Sequence, residues 1–229
     1  MSGRARPRGG IYGWGAAWYD AVSGEPVYRA GREAGIDMLG LREGDAVLDL
    51  GCGTGLNLPG LVERVGPTGR VVAVDRSASM LAVARRRVAR HGWRSVTLVQ
   101  ADVTALDARA LAPAADRAAH GGDSAASAPE ERGFDAVIAT YAMSVVDDPD
   151  AAWRAACAVL RPGARACIVD MQPPTGAARL LSPLARLACA IGGADLAARP
   201  WRLLERDAVD VRRRELRGSH IVVVAGSVR

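Results

Sequence analysis

The chain is 229 residues long, 49% apolar and 24% charged, which suits one domain with a sizeable core and excludes a chain disordered throughout or a fibrous repeat. Its formal charge is +5 and all 30 basic residues are arginine. They are scattered rather than gathered in one stripe, so no nucleic-acid partner is expected. No run reaches the ~18 consecutive apolar residues of a membrane span, which leaves at most peripheral membrane contact.

In chain order, residues 1–10 are rich in Arg, Gly and Pro and read as a flexible tail without the apolar core of a secretory signal. Residues 11–41 carry Tyr12, Trp14, Trp18, Tyr19 and Tyr28 and read as an N-terminal helical cap ahead of one domain at 42–229. Short apolar runs at 46–50 (AVLDL) and 70–75 (RVVAVD) have the length and β-branched content of buried parallel strands. Leu56, Leu61, Val62 and Val65 mark a helix stopped by Gly66-Pro67, and Ser77 caps a longer one reaching His91. Further strands are expected at 96–100, 134–140 and 164–170, with a helix over Pro149–Leu160 closed by Arg161-Pro162-Gly163. Residues 112–132 read as a flexible insertion and 175–200 as a helical lid. The last two runs, 209–217 and 220–226, are separated by only Gly218-Ser219 and should pair as an antiparallel hairpin. The expected fold is α/β: a Rossmann-like, seven-stranded, mostly parallel sheet with an antiparallel edge hairpin and helices on both faces.

The chemistry is concentrated in Val47–Asn57, VLDLGCGTGLN, where a buried strand runs into Gly51, Gly53 and Gly55. Glycines there allow a sharp turn and close approach of backbone N–H groups to a ligand. Asp75 ends the next strand, where a carboxylate can accept from both hydroxyls of a ribose. A dinucleotide fingerprint would want a third glycine where Leu56 stands, and Asp49 would repel a pyrophosphate while suiting an ammonium.

These stretches, with VVAVDRS, the QAD at 100–102, FDAVIATYAMSVVDDP at 134–149 and LRPGA at 160–164, resemble the successive motifs of class I S-adenosylmethionine-dependent methyltransferases. The resemblance implies roles. Asp49 and the backbone of Gly51, Cys52 and Gly53 would line the methionine part, with Asn57 and Tyr12 beside the cofactor. Asp75 would hold the ribose, Arg76 the adenine edge, Met80 the adenine plane, and Asp102 with the Val103 N–H the adenine amino group. Thr140 and Tyr141 would lie near the reacting methyl, Tyr141 and Tyr19 as the catalytic candidates.

For the acceptor, a small or lipid-like molecule, the sequence leaves two readings. The segment around Tyr12 and Tyr19 is similar to the covering segment of ubiquinone and menaquinone C-methyltransferases and of bacterial phosphatidylethanolamine N-methyltransferases. YAMSVVDDP and GSHIVVVAG look more like the latter, which favours the nitrogen of an amine; C- or O-methylation of a quinone or secondary metabolite is the alternative. A non-catalytic cofactor-binding module is the reading from another class. His220 opens the last strand, where it faces the site or fills an edge. Cys52, Cys157, Cys167 and Cys189 share no CxxC spacing and read as thiols of a reducing cytoplasm; no metal site is expected.

Overall fold

The computed structural model describes residues 25–106, 111, 133–175, 195 and 197–229. Tyr12, Tyr19, the tail, the insertion and residues 176–194 of the expected lid lie outside the described residues.

Seven strands form one sheet in the order β3-β2-β1-β4-β5-β7-β6. They are β1 (Ala46–Leu50), β2 (Arg70–Asp75), β3 (Val96–Gln100), β4 (Phe134–Thr140), β5 (Leu160–Met171), β6 (Ala208–Leu216) and β7 (Ile221–Val228). The first five are mutually parallel and β7 is antiparallel to both β5 and β6, so the expected edge hairpin is present. Every residue of β1 is buried, as a strand covered on both faces must be.

Side-chain alternation sorts the core into two layers. On one face, Val47, Val71, Ala73, Ile138, Val169 and Val223 pack against α1 (Glu25–Leu39), α2 (Leu58–Val65) and α3 (Ala78–His91). On the other, Leu48, Val72, Val137, Ile168 and Val224 meet α4 (Pro149–Ala158) and α5 (Trp201–Asp207). Gly31 and Gly35 let α1 press close: a Cβ at Gly31 would run into the Tyr141 hydroxyl and Ile221, and one at Gly35 would come within 2.5 Å of Val169.

The cap expected at Ser77 is present, its Oγ accepting from the Met80 N–H at the start of α3, and Asp148 accepts from the Ala151 N–H at the start of α4. Two expectations are corrected. The turn Arg161-Pro162-Gly163 lies inside β5, which begins at Leu160, not 164; the pairing steps from Phe134–Leu160 to Ala136–Arg165, and Gly163, at φ 75°, absorbs the extra residues as a bulge. The helix Trp201–Asp207 was not expected from the sequence. It is held by burial of Trp201 and Leu204 and by a 2.8 Å hydrogen bond from Trp153 Nε1 to Asp207 Oδ2, which ties α5 to α4.

Candidate active site

The C-terminal ends of β1, β2 and β4 converge on the glycine loop, where an open α/β sheet keeps its ligand. Asp49, second to last in β1, is fully buried. Its Oδ1 accepts from Asn57 Nδ2 at 2.8 Å, and Asn57 Oδ1 in turn accepts from Thr140 Oγ1 at 3.0 Å, so one relay crosses from β4 to β1. Among the described residues the second carboxylate oxygen, Oδ2, has no hydrogen-bond partner. Burial pushes the Asp49 carboxyl up to about 7; the Asn57 bond and Arg32 oppose that rise and Asp75 adds to it.

Asp75 closes the loop from the side. Its Oδ2 accepts from the Gly53 N–H and its Oδ1 from the Ser77 N–H, each at 2.8 Å, so one carboxylate fixes both the glycine turn and the approach to α3. Cys52 is buried behind the loop, its N–H bonded to the Val74 carbonyl, and burial raises its thiol well above the ordinary range. Met80, in the first turn of α3, is 6% exposed and belongs to neither apolar layer.

Asp102 is exposed at the start of a single 3-10 turn, Val103–Ala105; two hydrogen bonds from Thr104 hold its carboxyl below the usual range. Arg76 is also exposed and faces Asp147 at 3.9 Å. Tyr141 follows β4 at φ 57°, a conformation rare for an aromatic residue. Its hydroxyl donates to the Tyr28 carbonyl at 2.8 Å and its ring lies 5.0 Å from that of Tyr28.

The structure thus brings Asp49, Gly51, Cys52, Gly53, Asn57, Asp75 and Thr140 into one linked group, with Met80, Arg76, Asp102 and Val103 on the elements that follow β2 and β3. Two features were missed in the sequence. Arg32 is buried on α1 at 7% exposure and its charge reaches Asp49. Ser144 and Asp170 form a buried pair, Oγ to Oδ1 2.7 Å and N to Oδ2 3.0 Å, that fastens the loop after β4 to the end of β5. Only the Gly31–Gly35 spacing around Arg32 signalled a helix face lying close on the sheet.

A sheet of this order, with a glycine loop after β1 and a carboxylate ending β2, defines a nucleoside-binding α/β domain. The model of the methyltransferase domain family matches residues 41–190. The ubiquinone/menaquinone biosynthesis C-methyltransferases UbiE of Hahella chejuensis and Pasteurella multocida are 33% and 32% identical to this chain, each over 70% of it. The matched part spans 57% and 51% of those relatives, about half their length. An S-adenosylmethionine-dependent methyltransferase from Aquifex aeolicus shares the fold, with a TM-score of 0.62 at 17% identity over 94% of this chain and 100% of that one. Haemonchus contortus phosphoethanolamine N-methyltransferase 2 gives a TM-score of 0.61 at 19% identity over 88% and 43%. The chain belongs to the methyltransferase domain family, and its fold is that of class I S-adenosylmethionine-dependent methyltransferases.

The residues fit that cofactor. Among the described residues Asp49 Oδ2 is a buried acceptor lacking a donor, which an ammonium supplies, and a Cβ at Gly53 would meet nothing within 4 Å. Among the described residues no helix is long and apolar enough to cross a membrane.

Proposed function

We propose that this enzyme methylates a ring carbon of a quinol or related phenolic acceptor in the cytoplasm. The observation that carries the reading is the 33% identity over 70% of the chain to a C-methyltransferase of ubiquinone and menaquinone biosynthesis. The adjoining rings of Tyr28 and Tyr141, 5.0 Å apart and tilted at 55°, support it as an aromatic border for a planar acceptor. Amine N-methylation, favoured by YAMSVVDDP and GSHIVVVAG, takes second place: the solved N-methyltransferase is 19% identical, a likeness of fold alone.

In this proposal Asp49 receives the ammonium of the methionine part, and the N–H groups of the Gly51–Gly53 loop lie along it. Asp75 accepts from the ribose hydroxyls, Met80 lies against the adenine plane with Arg76 at its edge, and Asp102 with the Val103 N–H reads the adenine amino group. Thr140 and Tyr141 border the methyl, while Tyr12 and Tyr19 keep the roles that the resemblance implies. The cofactor supplies an activated methyl on a positively charged sulfur. The protein orients the acceptor carbon and excludes water, effects that contribute about 7–11 kcal/mol in well-aligned systems.

The test is calorimetry with S-adenosylhomocysteine, followed by incubation with S-adenosylmethionine and either a reduced 1,4-naphthoquinone unsubstituted at its second carbon or an ethanolamine headgroup lipid. One added methyl on the quinol carbon and none on the amine is expected; the reverse overturns the reading. Asp75→Ala is expected to weaken S-adenosylhomocysteine binding by about 1–3 kcal/mol, the cost of leaving buried hydroxyls without an acceptor. Unchanged affinity in the same calorimeter would remove the ribose assignment.

A further inference from the structure

The turn joining β6 to β7 is strained. Arg217, Gly218 and Ser219 are three consecutive residues in the left-handed region, at φ 55°, 64° and 61°, two of them carrying side chains. Such a turn persists only when its surroundings hold it, and here Gln172, just beyond β5, does so from several directions. The Gln172 N–H donates to the His220 carbonyl at 2.9 Å and its Nε2 to the Ser219 carbonyl at 2.8 Å, while the Thr175 N–H donates to the Gly218 carbonyl at 3.0 Å. What the clamped turn presents is His220, 8% exposed, with its ring 6.4 Å from that of Tyr28.

His220 Nδ1 lies 2.6 Å from the Gln172 carbonyl oxygen. A carbonyl oxygen only accepts, so Nδ1 carries the hydrogen and, in the neutral ring, the basic lone pair is on Nε2. Among the described residues nothing is bonded to Nε2. Tyr141, Tyr28 and His220 therefore form a row of rings over the ends of β4, β5 and β7, beside the Asp49–Asn57–Thr140 relay. This is the arrangement of an oriented base: one nitrogen is fixed by a main-chain carbonyl, which leaves the lone pair of the other to take a proton.

We propose that His220 is the general base of the reaction, taking the proton of an acceptor hydroxyl at Nε2, and that the acceptor is accordingly an aromatic ring bearing an ionisable hydroxyl. The proposal rests on the quinol reading above. As the O–H bond breaks, its proton passes to Nε2 and the oxygen's electrons raise the nucleophilicity of the neighbouring ring carbon. That carbon forms its bond to the methyl while the electron pair of the breaking C–S bond stays on sulfur. The ring carbon then releases its own hydrogen as a proton to solvent and aromaticity returns. An amine presented as its free base would leave Nε2 without a task.

His220→Asn separates the base from its scaffold, because an asparagine amide can keep a donor toward the Gln172 carbonyl while offering nothing at the Nε2 position. With the 2-unsubstituted naphthoquinol as acceptor, we expect kcat to fall about 100-fold, in the usual range for loss of a general base, with KM and S-adenosylhomocysteine affinity changed less than about threefold. His220→Ala should lose as much and regain part of it with added imidazole, a rescue that a packing role would not give. Nitrogen NMR of the neutral wild-type ring, which needs no acceptor, should show hydrogen on Nδ1 and none on Nε2. A His220→Asn enzyme that methylates the quinol at the wild-type rate, or a hydrogen on Nε2, overturns the assignment while leaving the quinol reading standing. A wild-type enzyme that binds S-adenosylhomocysteine but methylates only the amine overturns both.

Discussion

Replacing Asp49 by Asn should raise the melting temperature of the cofactor-free enzyme and weaken S-adenosylhomocysteine binding about 100-fold, the scale of a lost charge-assisted hydrogen bond. Both effects have one origin. Asp49 is fully buried, one of its oxygens is bonded to Asn57 and the other to nothing among the described residues, and burial moves its carboxyl from 3.8 up to about 7. A carboxyl with a folded-state pKa above its unfolded value favours the fold most while protonated, below pH 4, and that contribution is lost as pH rises through 7. By pH 8 the displacement amounts to about 4 kcal/mol. Asparagine escapes it but leaves part of an amide unpaired, at about 1–3 kcal/mol, so a net gain of about 2 kcal/mol remains. For a chain of this size that is about 4–8 °C. The gain should be present at pH 8 and gone at pH 4. Binding should behave oppositely: wild-type affinity falls as pH drops through 7, because the ammonium needs the ionised carboxylate, whereas the Asn variant shows no such dependence. Melting curves across pH 4–8.5 and calorimetry across pH 6–8.5 read the two. An Asn variant that binds as tightly as wild type would remove the ammonium from Asp49.

Parts of this site were legible because they obey local rules. AVLDL and RVVAVD are continuous apolar runs that only a strand buried on both faces needs, and a carboxylate or glycine at the end of each cannot serve the core. The hairpin was legible because two residues cannot carry a parallel crossover. The misses are tertiary in origin. Trp201–Asp207 is a helix of seven residues whose stability comes from burial of two side chains and the bond to Trp153, 54 positions away in the other direction along the chain. Arg161-Pro162-Gly163 has every local property of a turn, yet Arg161 donates to the Gly133 carbonyl and pairs with Asp135, which draws the segment into the sheet as a bulge. Arg32, the Ser144–Asp170 pair and the Gln172 clamp on His220 join residues from distant elements, and no spacing within one segment encodes such meetings.

The glycine loop offers a sharper separation of folding from function. Gly51 and Gly53 both lie in the left-handed region, at φ 65° and 54°, so alanine at either costs about 1–2 kcal/mol of backbone strain. Their surroundings differ. A Cβ at Gly51 would stand 2.5 Å from the Ala142 Cβ, an overlap that only displacement of the segment after β4 relieves, whereas one at Gly53 would meet nothing within 4 Å among the described residues. Gly51→Ala should therefore lose about 2–5 kcal/mol of stability in urea unfolding, the strain plus the overpacking. Gly53→Ala should lose only the strain. In calorimetry with S-adenosylhomocysteine the order inverts for Gly53, whose added methyl projects into the space the cofactor is proposed to cross: affinity should drop by at least about tenfold, more than about 1.4 kcal/mol, with the fold nearly intact. If Gly53→Ala binds like wild type, the cofactor does not pass over the loop. Gly51 then keeps its packing role, and the unpartnered oxygen of Asp49 needs a different ligand.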